Sequence, residues 1–175
     1  MIAQQIKSAI RDIPDFPKQG IIFKDITPIL KDPLLCEGVV DAFVEQLKDT
    51  RIDVIVGIES RGFFFGLSLA VRLGVPFVPA RKAGKLPFTT RQKSYELEYG
   101  TAAIELHSDA FEPGQHVLIH DDLLATGGTA LAAAELIQEM DGIVAGFAFV
   151  VGLNFLNGRE MITPVSDKVV VLAEY

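Results

Sequence analysis

An α/β domain built on a doubly wound parallel sheet is what this sequence predicts, and three observations carry the prediction. From residue 53 onward, extended apolar runs alternate with helical segments. The runs 53–58, 76–80, 116–120, 143–151 and 168–172 are nearly all apolar, as strands covered on both faces are. One of them leads into two adjacent carboxylates just ahead of a glycine-rich turn. Ligands of such sheets bind beyond the carboxyl ends of the strands. Asp121 and Glu59, each at the end of a predicted strand, therefore mark where a site is to be sought.

The elements follow in order. Ile2, Ile6 and Ile10 recur at helical spacing and give an amphipathic first helix that stops before Pro14. Residues 15–20 form a turn-rich connector, and Ile21-Ile22-Phe23 is a short extended run. Thr27 before Pro28 and Asp32 before Pro33 both have the form of a helix start. The second of these continues to about Leu47, with Val40, Phe43, Val44 and Leu47 on one face. A helix over 60–73 is closed by Gly74. Residues 82–93 have little apolar content and are predicted as a loop of about a dozen residues, a length that goes with lids and binding loops. Residues 95–106 alternate as a strand pair or long ribbon, and Glu112-Pro113-Gly114-Gln115 is a turn. The alanine-rich segment 130–140 is a helix after the strand 116–120. No repeat or low-complexity tract is visible, and residues 1–175 are expected to form one domain.

Composition narrows the function. Apolar residues make up 49% and charged residues 22% of the chain, the balance of an ordinary globular protein. No run approaches the ~18 apolar residues of a membrane span, and the first residues lack the apolar stretch of a signal peptide. The single cysteine, Cys36, excludes an internal disulfide and reads as a small core residue. A cytoplasmic protein is expected. The net charge of −7 argues against a nucleic-acid partner, which calls for a basic face. Against that background Arg81, Lys82, Lys85, Arg91 and Lys93 stand together with no acid among them. The plainer reading is a solvated basic loop. The alternative is that an acidic protein has gathered its cations to hold a polyphosphate.

The stretch Val117-Leu118-Ile119-His120-Asp121-Asp122-Leu123-Leu124-Ala125-Thr126-Gly127-Gly128-Thr129-Ala130 says most about function. It reads as strand, acidic pair, tight turn and helix start. Gly127 and Gly128 let the backbone take positive φ and approach a ligand closely. The first N–H groups of the helix have no partner within it and face whatever sits there. That geometry suits a phosphate. The carboxylates repel the same phosphate and suit hydroxyl groups, or water around a divalent cation, a short distance away. A ribose 5-phosphate satisfies both requirements. Two other phosphate loops are excluded. Gly57 to Gly62 has Walker A spacing, but Phe63 and Phe64 follow where a Lys-Ser/Thr pair is required, and no third glycine completes a dinucleotide fingerprint.

This block resembles the phosphoribosyl-diphosphate signature of the type I phosphoribosyltransferases. Asp15-Phe16-Pro17, Phe23-Lys24-Asp25-Ile26, Glu59-Ser60-Arg61-Gly62-Phe63, Arg81-Lys82-Ala83-Gly84-Lys85-Leu86-Pro87 and Tyr95-Glu96-Leu97-Glu98-Tyr99-Gly100 precede it, and Asn157-Gly158-Arg159-Glu160 follows. Together they resemble the adenine branch of that family over most of the chain. The resemblance implies the type I fold with a flexible hood loop. It implies transfer of a phosphoribosyl group from 5-phosphoribosyl 1-diphosphate to adenine, giving AMP and diphosphate, in purine salvage. It further implies Mg²⁺ held mainly by substrate and water, with no direct protein ligand, and a homodimer with the Arg81 region at its interface.

Residue by residue, the resemblance implies that Asp121 and Asp122 contact the ribose hydroxyls and that Ala125, Thr126, Gly127, Gly128 and Thr129 wrap the 5-phosphate. Glu59, Ser60, Arg61, Arg81, Lys82 and Lys85 fall to the diphosphate, with a non-proline cis peptide expected at Glu59–Ser60. Glu98 is placed to manage the purine proton, and Tyr99 and Arg61 stand beside the reacting centre. Adenine offers a donor at its 6-amino group and an acceptor at N1, whereas 6-oxopurines show the reverse. A backbone carbonyl beside a backbone N–H reads this, since neither can switch character. By resemblance these are the Ile22 carbonyl and the Lys24 N–H, with Phe23 and Leu156 packing the ring faces. His120 departs from the family, which usually has an aliphatic residue there, and reads as a core histidine with a satisfied hydrogen bond. Two other readings stay open: a related enzyme using guanine, xanthine or orotate, and a regulatory protein that senses phosphoribosyl diphosphate.

Overall fold

The computed structural model describes residues 1–96 and 100–175. The chain begins with α1 (Ile2–Ala9), which sends Ile6 into the core. A two-stranded antiparallel ribbon follows, β1 (Arg11–Pro14) against β2 (Ile22–Asp25). The first of these strands is unannounced in the sequence because it has no apolar alternation and ends on proline, which only an edge tolerates. Asp32 caps α2 (Pro33–Leu47) as expected, its carboxylate accepting from the Leu34 and Leu35 N–H groups. Thr27-Pro28 leads only to a 3-10 turn, Ile29–Lys31. The residue before a proline is pushed out of the helical region, and Asp32, extended at φ −113°, stops that turn.

The remaining elements are β3 (Val54–Ile58), α3 (Gly62–Leu73), β4 (Phe77–Lys82), β5 (Thr90–Glu96), β6 (Thr101–His107), β7 (His116–Leu124), α4 (Gly128–Glu139), β8 (Ile143–Gly152), α5 (Gly158–Ile162) and β9 (Val169–Glu174). Strands β3 to β9 form one seven-stranded sheet of order β5-β6-β4-β3-β7-β8-β9. Neighbours from β4 through β3, β7 and β8 to β9 are parallel, and β6 and β5 add an antiparallel edge. The sheet is thus mixed, with the expected parallel centre. The predicted loop 82–93 shrinks to residues 83–89, and Arg91 and Lys93 lie on β5. Their polarity is that of an edge strand with one solvated side.

Alternation on the central strands feeds two cores. Ile55, Leu118, Ala148 and Val150 face the side covered by α2 and α3, where they meet Phe43 and Phe65. Val54, Val56, Ile119, Phe147 and Phe149 face α4, meeting Ala133 and Ile137. Each such large side chain contributes about 1.5–3 kcal/mol by leaving water. Among the described residues no helix is long and apolar enough to cross a membrane.

From β3 the chain winds towards β4 and the sheet's antiparallel edge, whereas from β7 it winds the other way, towards β8 and β9. The crevice between the carboxyl ends of β3 and β7 is therefore the topological switch point, where such sheets bind ligands.

Candidate active site

Strand β7 pairs with β3 only as far as His120 opposite Gly57, but with β8 as far as Leu124 opposite Gly152. Asp121 and Asp122 thus lie inside a strand that runs past the predicted end at His120, with one flank opened by the departure of β3. The first residue of α3, Gly62, fits against that flank. A Cβ there would stand 2.9 Å from the His120 carbonyl oxygen and 3.0 Å from Asp121 Oδ1, so only glycine lets the helix start here. Asp121 Oδ1 accepts from the Asp122 N–H at 2.8 Å, and Arg61 Nε lies 2.9 Å from Asp122 Oδ2 as an ion-pair contact. Burial holds Asp121 well above the usual carboxylate range, and the neighbouring Asp122 charge adds to this. Burial raises Asp122 too, with Arg61 opposing it. Asp121 borders the cavities at this end of the sheet while Asp122 meets Arg61, and carboxylates desolvated in this way favour hydroxyl donors or a cation.

Beyond β7, Ala125, Thr126 and Gly127 form the turn into α4, with Gly127 at φ +85°. This turn lines a cavity of about 80 Å³ together with Gly128, Thr129 and Asp121. The loop rests on the start of α5. A Cβ on Gly127 would lie 2.7 Å from the Gly158 carbonyl oxygen, and one on Gly158 would overlap the Ala125 carbonyl. The N–H groups of the first α4 turn thus face a small concavity at the positive end of a helix.

The second cluster forms where β3 gives way to α3. The Glu59–Ser60 peptide is cis, as expected, and the Ser60 carbonyl accepts from the Phe63 N–H at 3.3 Å. Glu59 gathers the cations: Arg81 Nε donates to Oε2 at 2.8 Å, the Lys82 N–H donates to Oε1 at 3.1 Å, and Lys85 Nζ stands 3.7 Å away. Burial pushes the Glu59 carboxyl up, but these partners outweigh it and hold it below the usual range. A cavity of about 120 Å³ is bounded by Glu59, Arg81, Lys82, Tyr95, Asp121 and Thr129. The cation cluster, the acidic pair and the phosphate turn therefore meet. Of the five cations singled out in the sequence, Lys93 is committed elsewhere, 2.5 Å from Glu139 and 3.2 Å from Glu135 on α4.

A third group borders Arg61. Its guanidinium stacks 5.0 Å from the Phe23 ring, whose edge contact with Phe16 is 5.2 Å between centroids. Ile22 and Lys24 flank Phe23 on β2, paired with Pro14 and Asp12 of β1. Leu156 lies partly exposed in the 3-10 turn Asn154–Leu156. Glu98 and Tyr99 lie outside the described residues.

One position that shapes the cation segment was not read from the sequence. Glu105, buried on β6, accepts the Lys85 and Leu86 N–H groups at 2.9 and 2.8 Å and so shapes the segment that presents Lys85. A lone acid in an apolar run (Ala103-Ile104-Glu105-Leu106) is the signal that could have found it. Tyr95 receives a 3.3 Å hydrogen bond from Thr129 Oγ1. His120 corrects an expectation. It is fully buried beside Phe43, with 5.3 Å between ring centroids, but neither ring nitrogen makes a well-formed hydrogen bond among the described residues. Burial lowers its pKa to about 4, the Ala148 backbone offsetting only part of this.

An anion turn, a carboxylate pair and a cation cluster at the switch point of a parallel sheet define a protein that handles a sugar phosphate with a second anionic group. The family model for the phosphoribosyl transferase domain matches residues 27–172. An adenine phosphoribosyltransferase of Cytophaga hutchinsonii is 50% identical over 175 residues, which is 100% of this chain and 97% of that protein. The solved structure of the adenine phosphoribosyltransferase of Thermoanaerobacter pseudethanolicus superposes with a TM-score of 0.95 at 48% identity, covering 99% of both chains. That of Saccharomyces cerevisiae, complexed with an imino-altritol bisphosphate and adenine, gives 0.90 at 43% identity and 98% of both chains. The chain belongs to the adenine phosphoribosyltransferase family of the type I phosphoribosyltransferases.

Proposed function

We propose that this enzyme transfers the 5-phosphoribosyl group of 5-phosphoribosyl 1-diphosphate to adenine, forming AMP and diphosphate. The observation that carries the reading is that Asp121 borders both the phosphate turn and the cation cavity. A single ligand with a phosphate at one end, vicinal hydroxyls in the middle and a diphosphate at the other matches that order of groups.

The chemistry follows from the charges. Breaking the bond to the anomeric carbon builds positive charge on the ribose and negative charge on the departing diphosphate, so catalysis is mainly electrostatic. Asp121 and Asp122 take the ribose hydroxyls. Ala125 to Thr129 anchor the 5-phosphate. Arg61, Arg81, Lys82 and Lys85 receive the diphosphate, with the Glu59 carboxylate and the Ser60 turn holding them in place. The Ile22 carbonyl and Lys24 N–H read adenine between Phe23 and Leu156. Glu98 manages the purine proton, with Tyr99 beside the reacting centre.

Mg²⁺ fits this donor set. It is usually bound through one or two carboxylates plus substrate phosphates and keeps several waters, and the desolvated Asp121 carboxylate borders the cation cavity, with Asp122 next to it in the chain. Asp121 and Asp122 would hold it through water, and when bound it supplies positive charge to the leaving diphosphate.

A homodimer is supported by the outer face of α3, where Phe64, Leu67 and Val71 are 46%, 52% and 74% exposed along one stripe beside Arg61. The single half-buried thiol and the acidic charge fit a cytoplasmic protein formed as one domain.

The deciding experiment is a base-by-base assay with phosphoribosyl diphosphate and Mg²⁺, reading nucleotide formed. Adenine is expected to exceed hypoxanthine, guanine and orotate by orders of magnitude in kcat/KM, since a mismatched donor–acceptor pair leaves buried polar groups unpaired. Comparable turnover of hypoxanthine overturns the assignment.

A further inference from the structure

Tyr175 is absent from every group described so far, yet it joins the two walls between which the base is read. Its backbone is fixed at the end of β8: the N–H donates to the Gly152 carbonyl and its own carbonyl accepts from the Asn154 N–H, both at 2.9 Å. Asn154 begins the 3-10 turn that carries Leu156. The preceding residue, Glu174, strengthens this attachment by accepting from Asn154 Nδ2 at 3.3 Å and from Arg159 at 3.1 Å. Its ring reaches the other way. Lys24 Nζ stands 4.1 Å from the ring centroid, and Lys7 Nζ of α1 approaches the same ring at 5.0 Å. Asp12, opposite Lys24 in the ribbon, closes the arrangement with a 2.7 Å salt bridge to the same ammonium.

Lys24 is thus held at its far end by a carboxylate and an aromatic face, and its side chain is only 13% exposed. A lysine stem anchored at the tip limits the freedom of the backbone from which it springs. In β2 that backbone is the one that presents the N–H and carbonyl groups read by the base. The ribbon is otherwise a two-stranded sheet of four-residue strands, an element that has little stability of its own.

We propose that Tyr175 is a specificity-determining positioning residue: its ring, clamped on the Lys24 ammonium, fixes β2 relative to the Leu156 turn so that donor and acceptor meet the purine edge in register. This rests on the reading of Ile22 and Lys24 as the base-reading pair. The ring does the clamping through its π face, and the hydroxyl takes no part. Attraction of an ammonium to a partly buried aromatic face is of the size that changes an affinity about tenfold.

The test is steady-state kinetics of Tyr175→Leu and Tyr175→Phe with adenine and with hypoxanthine, each at saturating phosphoribosyl diphosphate. Tyr175→Leu is expected to raise the KM for adenine about tenfold and to lower the adenine-to-hypoxanthine ratio of kcat/KM. The KM for phosphoribosyl diphosphate is expected to stay within about twofold, because its groups lie on other elements. Tyr175→Phe, which keeps the π face, restores the parent values. Lys24→Met covers the case in which Tyr175→Leu fails to fold, since it removes the ammonium while keeping the stem, and it is expected to give the same selective rise. The proposal is overturned if both KM values rise together, if Tyr175→Phe is as impaired as Tyr175→Leu, or if the selectivity ratio is unmoved. A parent protein that does not prefer adenine refutes instead the reading of the site on which this rests.

Discussion

His120 gives the sharpest quantitative handle on the fold around the site. The imidazole titrates near 6.5 when the chain is unfolded and near 4 when buried beneath Phe43. At about 1.4 kcal/mol per unit that gap is worth about 3 kcal/mol. The sign follows from proton uptake. Below pH 6.5 the unfolded chain binds a proton that the folded chain refuses, so stability falls as pH drops from 6.5 towards 4 and levels off below. Between pH 7.5 and pH 5 the loss at this one position comes to about 2 kcal/mol. Asp121 and Asp122, raised by burial, act with the opposite sign, because the folded state takes up their protons first. They are present in both parent and variant, so the difference between the two isolates the histidine. Urea unfolding of parent and His120→Leu, followed by circular dichroism at pH 7.5, 6.5, 5.5 and 5, is the measurement. The variant is expected to gain about 2 kcal/mol on the parent across that range. A difference that stays flat with pH means that the imidazole is paired or wet, and refutes the account of its burial.

Other expectations follow from the same geometry. Asp121→Asn combined with Asp122→Asn keeps the circular dichroism of the parent and loses most activity; near-parental turnover contradicts their role at the ribose. Glu98→Gln lowers kcat more than it raises the KM for phosphoribosyl diphosphate, since a group that handles the base's proton acts in the transition state; an effect on KM alone removes it from the chemical step. Glu105→Ala frees the Lys85 and Leu86 N–H groups and raises the KM for phosphoribosyl diphosphate by about tenfold or more, while Glu105→Gln, which keeps an acceptor, recovers most of it. Equal kinetics in the two Glu105 variants speak against this shaping of the cation segment.

The sequence made the parallel centre of the sheet legible because β3, β7 and β8 are apolar on both faces and each is followed by its own turn chemistry. Asp32 and Gly74 announced the ends of helices for the same reason, that one residue's chemistry suffices there. What escaped notice depends on partners distant in the chain. β1 exists through its pairing with β2, and β5 through its pairing with β6. The extension of β7 past His120 is decided by β8, which no property of residues 121–124 reveals. The site divides in the same way. The phosphate turn and acidic pair are contiguous in the sequence and could be read as one unit. Glu105 and Tyr175 act through backbone groups and rings brought to them only by the fold.

The charges at the switch point form two opposed arrangements, each incomplete without a ligand. On the β7 side, two carboxylates are buried, Asp122 against the Arg61 guanidinium, and are pushed towards the protonated form, so donors and cations are drawn there. On the β4 side, one carboxylate holds three cationic or N–H groups and is pulled towards the ionised form, so anions are drawn there. Had the acids and bases simply paired across the crevice, neither side would retain any pull on a substrate. Gly62 helps to keep them apart by letting the start of α3 press onto the Asp121 backbone, which leaves Arg61 facing Asp122 while Glu59 faces Arg81. A substrate hydroxylated at its centre and anionic at both ends then meets carboxylates at its hydroxyls and, at its ends, the helix start of the phosphate turn and the gathered cations. A net charge of −7 over the whole chain sharpens this, since an anion finds attraction only where the cations are gathered.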